Sequence, residues 1–131
     1  MTDVLSGWYA RARLSPRRVV LADQGDGRAV QAARELRERG LCEPVLLGVD
    51  ISSLDDVDDP LVAATRQELA DDLAAAGRSV DFEDPLVVAA TLVKSGWADA
   101  CVAGASRSSP DVIRAGMRVL NPARITSELD R

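Results

Sequence analysis

One stretch of this 131-residue sequence combines residue types that could bind a negatively charged group. The apolar run Ala100–Ala103 predicts a strand that ends at Gly104, and Pro110 begins a predicted helix. The N–H groups and the positive dipole end of a helix N-terminus both favour a bound anion. We therefore expect an anion-binding loop between strand and helix, with four polar side chains: Ser106, Arg107, Ser108 and Ser109.

Asp23 is a further candidate for the same site. It follows the apolar run 18–22, which predicts a buried parallel strand. Ligands of open α/β sheets bind outside the carboxyl ends of the strands, which is where Asp23 is expected. A role for Asp23 in a turn or a helix cap stays open. Ser109 likewise fits a helix cap, and a capping hydroxyl can also lie beside a bound anion.

The composition limits the chemistry that the chain can perform. The sequence has no histidine, so the commonest general base and metal ligand is missing. The remaining candidate bases are Asp23, Asp99 and Asp111, of which the last two fit structural roles. Cys42 and Cys101 lack the spacing of metal ligands. We expect no metal and no tightly bound cofactor, and we assign no catalytic residue.

Charge and hydropathy indicate where and with what the chain works. A net charge of −5 and an aromatic content of 3% argue against binding nucleic acid. No apolar run reaches about 18 residues and no signal-peptide pattern is present, so we expect no membrane partner and a cytoplasmic location.

The order of strands and helices predicts the fold that positions the candidate site. Apolar runs bounded by turn residues alternate with helical patterns, which is typical of a three-layer αβα domain with a mostly parallel sheet of about four or five strands. The predicted strands cover 18–23, 44–48 and 100–103, with weaker extended segments at 49–51, 79–82 and 124–127. The predicted helices cover 28–39, 60–76, 85–95 and 110–120.

The chain divides into an N-terminal helix, 1–17, and a single α/β domain, 18–131. The helix carries Trp8 and Tyr9, which we expect to pack on the domain or on a neighbouring subunit. Its basic residues could hold phosphate, although a solvated basic face is the simpler interpretation; they are Arg11, Arg13, Arg17 and Arg18.

Two motifs point weakly to other functions. The turn Gly25–Gly27 is not a dinucleotide-binding GxGxxG motif, because Val30 stands where the third glycine belongs. The acidic run Asp55–Asp59 lacks the central glycine and the terminal glutamate of a calcium loop, and fits a solvated turn before Pro60.

Taken together, these segments resemble the phosphate acetyltransferase and phosphate butyryltransferase family. The resemblance rests on E-P-V-L-L-G at 43–48, on D-P-L-V-V-A-A-T-L-V-K-S-G-W-A-D-A-C-V-A-G at 84–104 and on S-S-P-D-V-I-R-A at 108–115. It covers about residues 18–127, in the family's order and spacing.

The resemblance implies an activity and a site. Such enzymes move an acyl group between coenzyme A and inorganic phosphate in a cleft between two α/β domains, and this chain resembles the first domain only. By this resemblance Ser108 and Ser109 bind phosphate, and Arg114 lies near the phosphates of coenzyme A. Lys94 and Asp99 match a structural turn. Coenzyme A or acyl-CoA would be a substrate rather than a tightly bound cofactor.

The sequence also departs from the family pattern. Glu83 replaces an arginine that often precedes the Asp-Pro pair, and Asp23-Gln24-Gly25 replaces Pro-Glu-Gly after the first strand. The chain stops near 125–127, where the family's second domain would begin. We therefore expect a truncated acyltransferase subunit, inactive alone, that needs a second polypeptide or a homo-oligomer. The alternative is a non-catalytic module that binds coenzyme A, phosphate or a protein.

Overall fold

The computed structural model describes residues 14–103 together with Gly7, Ala10 and Arg11. The elements alternate as expected for an α/β domain. In chain order they are β1 (Arg17–Leu21), α1 (Gly27–Arg39), β2 (Cys42–Leu46), a 3-10 turn (Leu54–Asp56), α2 (Pro60–Ala75), α3 (Pro85–Lys94) and β3 (Ala100–Val102).

The strands form a parallel sheet in the order β2-β1-β3. β1 is central, and its Val20 lies opposite Val45 of β2 and Cys101 of β3. Parallel neighbours need a long crossover connection, which α1 provides between β1 and β2 and which α2 and α3 provide before β3.

Alternating side chains of β1 build the two faces of the sheet. Leu21 packs in one cluster with Ala29 and Ala33 of α1. Val20 belongs to the cluster on the other face, together with Leu92 of α3. Since successive strand residues point to opposite faces, α1 and α3 cover opposite sides of the sheet. The predicted three-layer α/β fold is confirmed.

The number of strands is smaller than predicted: the described part of the chain has three, not four or five. Residues 79–82 form no strand, because Asp81 closes a turn by accepting a hydrogen bond from the Glu83 N–H at 2.9 Å. The segment 49–51 is reduced to one bridge between Leu47 and Ile51, because the chain turns at Gly48. The third weak segment, 124–127, lies outside the described residues.

Capping residues explain where the helices begin. An aspartate accepts a hydrogen bond from the backbone two residues later at each start, which satisfies an otherwise unpaired N–H. Proline occupies the first position of α2 and α3, where its missing N–H costs nothing. The three capping residues are Asp26, Asp59 and Asp84.

Candidate functional site

The candidate site lies at the carboxyl edge of the sheet. The Ala22 N–H donates to the Val102 carbonyl at 2.9 Å, so the chain leaves β1 and β3 side by side. From β1 it proceeds to β2 on one side, while β3 lies on the other side. This is a topological switch point, the place where open parallel sheets bind their ligands. Asp23 and Ala103 are the next residues on the two strands.

Asp23 is buried at this edge, with 6% of its surface exposed. Its backbone carbonyl accepts a hydrogen bond from the Asp26 N–H at 3.1 Å, which closes the turn between β1 and α1. The charge of Asp23 also acts on Arg28, as one of the causes that raise the pKa of that guanidinium. The turn therefore holds one buried carboxylate at the carboxyl edge of the sheet.

Asp26 and Arg28 form a compact charged pair at the start of α1. The Asp26 carboxylate accepts hydrogen bonds from the Arg28 backbone N–H and guanidinium, both at 2.8 Å. The hydrogen bond from the Arg28 side chain lowers the pKa of Asp26 most, and the bond from the Arg28 backbone lowers it further. The side-chain bond to Asp26 is also the main cause that raises the pKa of Arg28. Asp26 thus already supplies a negative charge to the N-terminus of α1.

A close contact between two turns fixes this edge. The Gln24 side chain lies over Gly48, so near that a Cβ on Gly48 would come within 2.6 Å of the Gln24 Cγ. Gly48 also has a φ of +88°, a conformation that other residues rarely adopt. The turn after β1 consequently packs directly against the turn after β2.

Of the predicted site residues, the structure places only Asp23. The other five lie outside the described residues: Ser106, Arg107, Ser108, Ser109 and Arg114. β3 brings Ala103 to the edge where Asp23 lies. In the sequence, the predicted anion-binding loop follows directly after Ala103.

Arg28 is a charged residue near this edge that the sequence pattern did not single out. The structure pairs it with Asp26, in the turn that begins at Asp23. A signal existed, because an Asp-x-Arg sequence at the start of a helix places the arginine beside its own cap.

The turn from Lys94 to Asp99 serves a different part of the fold. Asp99 and Arg18 exchange two hydrogen bonds of 2.8 Å, one to the Asp99 carboxylate and one from its N–H. The Arg18 guanidinium also lies 4.2 Å from the centre of the Trp97 ring and donates to the Trp97 carbonyl. These contacts attach the turn to the start of β1, at the opposite edge from Asp23.

The acidic run Asp55–Asp59 makes contacts within the fold. The Asp56 carboxylate accepts from the N–H groups of Ser52 and Ser53, and Asp59 caps α2. Asp55 pairs with Arg66 at 3.1 Å.

Among the described residues, no group of three potential metal ligands is found. No helix in the described part of the chain is long and apolar enough to cross a membrane.

Similarity to known proteins identifies the family of this chain. A family model described as phosphate acetyl/butaryl transferase matches residues 4–129. The phosphate acetyltransferase of Treponema pallidum is 30% identical over 133 residues, covering 84% of this chain and 39% of the relative. That of Paracoccus denitrificans is 31% identical over 125 residues, covering 88% and 39%. The chain therefore spans about two fifths of the length of these relatives. Because the match covers nearly the whole chain, this protein belongs to the phosphate acetyl/butaryl transferase family.

Proposed function

We propose that this chain takes part in acyl transfer between acyl-CoA and inorganic phosphate, as one wall of the reaction cleft. The observation that carries the proposal is the hydrogen bond from Ala22 to Val102. It creates a switch point at Asp23, in a parallel sheet of a family whose named relatives are phosphate acetyltransferases. The hydroxyl- and arginine-rich stretch of the sequence begins at that point.

The reaction sets requirements that this wall meets in part. A phosphate oxygen attacks the thioester carbonyl, the carbon–sulfur bond breaks, and the thiolate of coenzyme A leaves and takes up a proton. Donors must hold the phosphate and stabilise the developing oxyanion. In this proposal Ser106, Ser108 and Ser109 bind phosphate, while Arg107 and Arg114 bind the phosphates of coenzyme A. Asp23 is the acidic group at this edge of the sheet.

A second domain completes the cleft in this proposal. Among the described residues at the carboxyl edge, Asp23 is buried and Asp26 already pairs with Arg28, so neither is assigned as the catalytic base. We propose that a second polypeptide supplies the missing groups and that the chain alone is inactive. A cytoplasmic location and a homo-oligomeric alternative belong to the same proposal.

Calorimetry tests the binding half of the proposal. We expect the full chain to bind coenzyme A, and Arg114→Ala to weaken binding about tenfold, a loss of about 1.4 kcal/mol. Arg34→Ala is the matched control, since it removes the same charge from an exposed position on α1. Equal affinity of Arg114→Ala and the parent chain would show that the proposed site is wrong.

An activity assay tests the catalytic half. The chain is purified from its native cells with any polypeptide that stays bound, and acyl phosphate formation from acyl-CoA and phosphate is measured. We expect activity in the complex and none in the isolated chain. Coenzyme A binding without activity in any complex would instead support the non-catalytic binding module.

A further inference from the structure

A groove of about 510 Å³ lies beside α2 and shares no residue with the carboxyl edge described above. Its walls come from the 3-10 turn, from one face of α2 and from Phe82. Most of the lining is apolar, with one cation and one carboxylate. The lining residues outside α2 are Leu54, Asp55, Val57 and Phe82.

The α2 wall of this groove has the spacing of a single helix face. The buried Val62 lines its base, and Ala63 is followed by Arg66, Gln67 and Ala70 at steps of three, four and seven residues. Such residues lie above one another, and seven residues span about 10 Å of helix. Two alanines on this face allow another backbone to approach closely. The wall is therefore long enough to contact about two turns of another helix.

The surroundings of the groove are acidic. Residues 54–70 contain five acidic side chains and a single arginine. That arginine, Arg66, is engaged with Asp55 at 3.1 Å and lies 5.1 Å from the centre of the Phe82 ring. The Asp55 side chain is 84% exposed, so its charge faces solvent at the rim. A basic and apolar helix is the partner that complements this groove in charge and hydropathy.

The N-terminal segment of the chain has this composition. Residues 4–14 contain two arginines and no acidic residue, and their apolar side chains follow helical spacing. The described residues of this segment are helical and exposed, and Leu14 is 85% exposed. These residues therefore do not fill the groove of their own chain. The apolar residues available are Val4, Leu5, Trp8, Tyr9, Ala12 and Leu14.

We propose that the groove beside α2 binds the N-terminal helix of a second copy of this chain. Opposite charge brings the two surfaces together, and the large apolar side chains of the helix fill the groove. An incoming aromatic ring can stack on the Arg66 guanidinium, whose side chain is 40% exposed. Reciprocal exchange gives a two-fold dimer with two such contacts, each of which makes the other more favourable.

Two variants at neighbouring positions of α2 test the groove. Ala63 lines it and Ala64 does not, while both are exposed and should accept a larger side chain without unfolding. Analytical ultracentrifugation of the full chain should show a dimer. Ala63→Trp should raise the dimer dissociation constant about tenfold or more, and Ala64→Trp should leave it near the parent value. Circular dichroism checks that each variant is folded.

A complementation experiment tests the occupant. A chain lacking residues 1–14 keeps the groove but lacks the helix, whereas Ala63→Trp keeps the helix but has a filled groove. Each should be monomeric alone, and their mixture should form a heterodimer through one intact contact. A dimer that persists without residues 1–14, a monomeric parent chain, or a mixture that stays monomeric at high concentration overturns the proposal.

Discussion

Asp26 performs two functions at one position, and both depend on its negative charge. It caps α1 by accepting from the Arg28 N–H, and it pairs with the Arg28 guanidinium at 2.8 Å. Negative charge at a helix N-terminus is also favourable toward the helix dipole. These contacts lower the pKa of Asp26, so the charged form stabilises the folded chain more than the neutral form does.

The sign of this pKa shift predicts a pH dependence. Because the folded-state pKa of Asp26 lies below its ordinary value of 3.8, the stabilisation is complete above pH 3.8 and is lost as the pH falls through the folded-state value. Thermal unfolding should show a higher Tm for the parent than for Asp26→Asn at neutral pH, with the gap narrowing in acid. A gap that stays constant down to the most acidic pH at which the chain folds would contradict this account.

Asp99 offers a second test at the scale of one residue. Its carboxylate accepts from the Arg18 N–H at 2.8 Å and holds the turn before β3 to the start of β1. Asp99→Ala leaves that N–H without its partner, and we expect a loss of about 1 kcal/mol in the free energy of unfolding. Asp99→Asn keeps an accepting oxygen and should lose less. Urea denaturation of the three proteins measures the difference, and equal losses in both variants would show that the hydrogen bond is not the cause.

At the scale of elements, α3 is the most deeply buried helix in the described part of the chain. All its residues from Leu86 to Leu92 are buried, because it packs against the sheet and also contacts α2. Its apolar sequence indicated this burial directly. The helix begins where Asp84 and Pro85 predicted, and the preceding Glu83 is exposed.

Two leucine substitutions separate burial from residue type. Leu92 is fully buried in the core cluster with Val20 and Leu47, whereas Leu61 on α2 is 65% exposed. Leu92→Ala should destabilise the chain by about 2–5 kcal/mol, through lost transfer energy and the cavity left behind. Leu61→Ala should change stability by less than about 0.5 kcal/mol. Chemical denaturation measures both, and similar losses at the two positions would contradict the assigned core.

The sequence predicted elements with strong patterns better than those with weak ones. The continuous apolar run of β1, the capped and periodic α1 and the Asp-Pro start of α2 are local signals that the fold reinforces. The extended segment at 79–82 was wrong, because the Asp81 turn overrides a short β pattern. The position of Asp23 after β1 was predicted, and its role in a binding site stays a prediction. The environment of Arg28 was not predicted, because residues that become neighbours around a turn leave little trace in the hydrophobic periodicity of the sequence.

At the scale of the whole molecule, charge is unevenly distributed along a chain of net charge −5. The N-terminal segment is basic, while the segment around the groove beside α2 is strongly acidic. Two copies repel each other through their net charge but attract each other through these two segments. The charges in a docked contact are separated by less than the Debye length, which is about 10 Å at 0.1 M salt, so the local attraction should exceed the more distant repulsion.

Salt should therefore weaken self-association of the full chain. Raising sodium chloride from about 0.1 M to about 1 M shortens the Debye length to about 3 Å and screens the contact between the basic helix and the acidic residues around the groove. Sedimentation at the two salt concentrations should show a higher dissociation constant in high salt. Asp55→Asn removes one exposed charge of the groove and should reduce this salt dependence, whereas Glu38→Gln, an exposed change on α1, should not. Tighter association at high salt would mean that repulsion between the two negative chains outweighs the proposed contact, and that the dimer uses an apolar surface elsewhere.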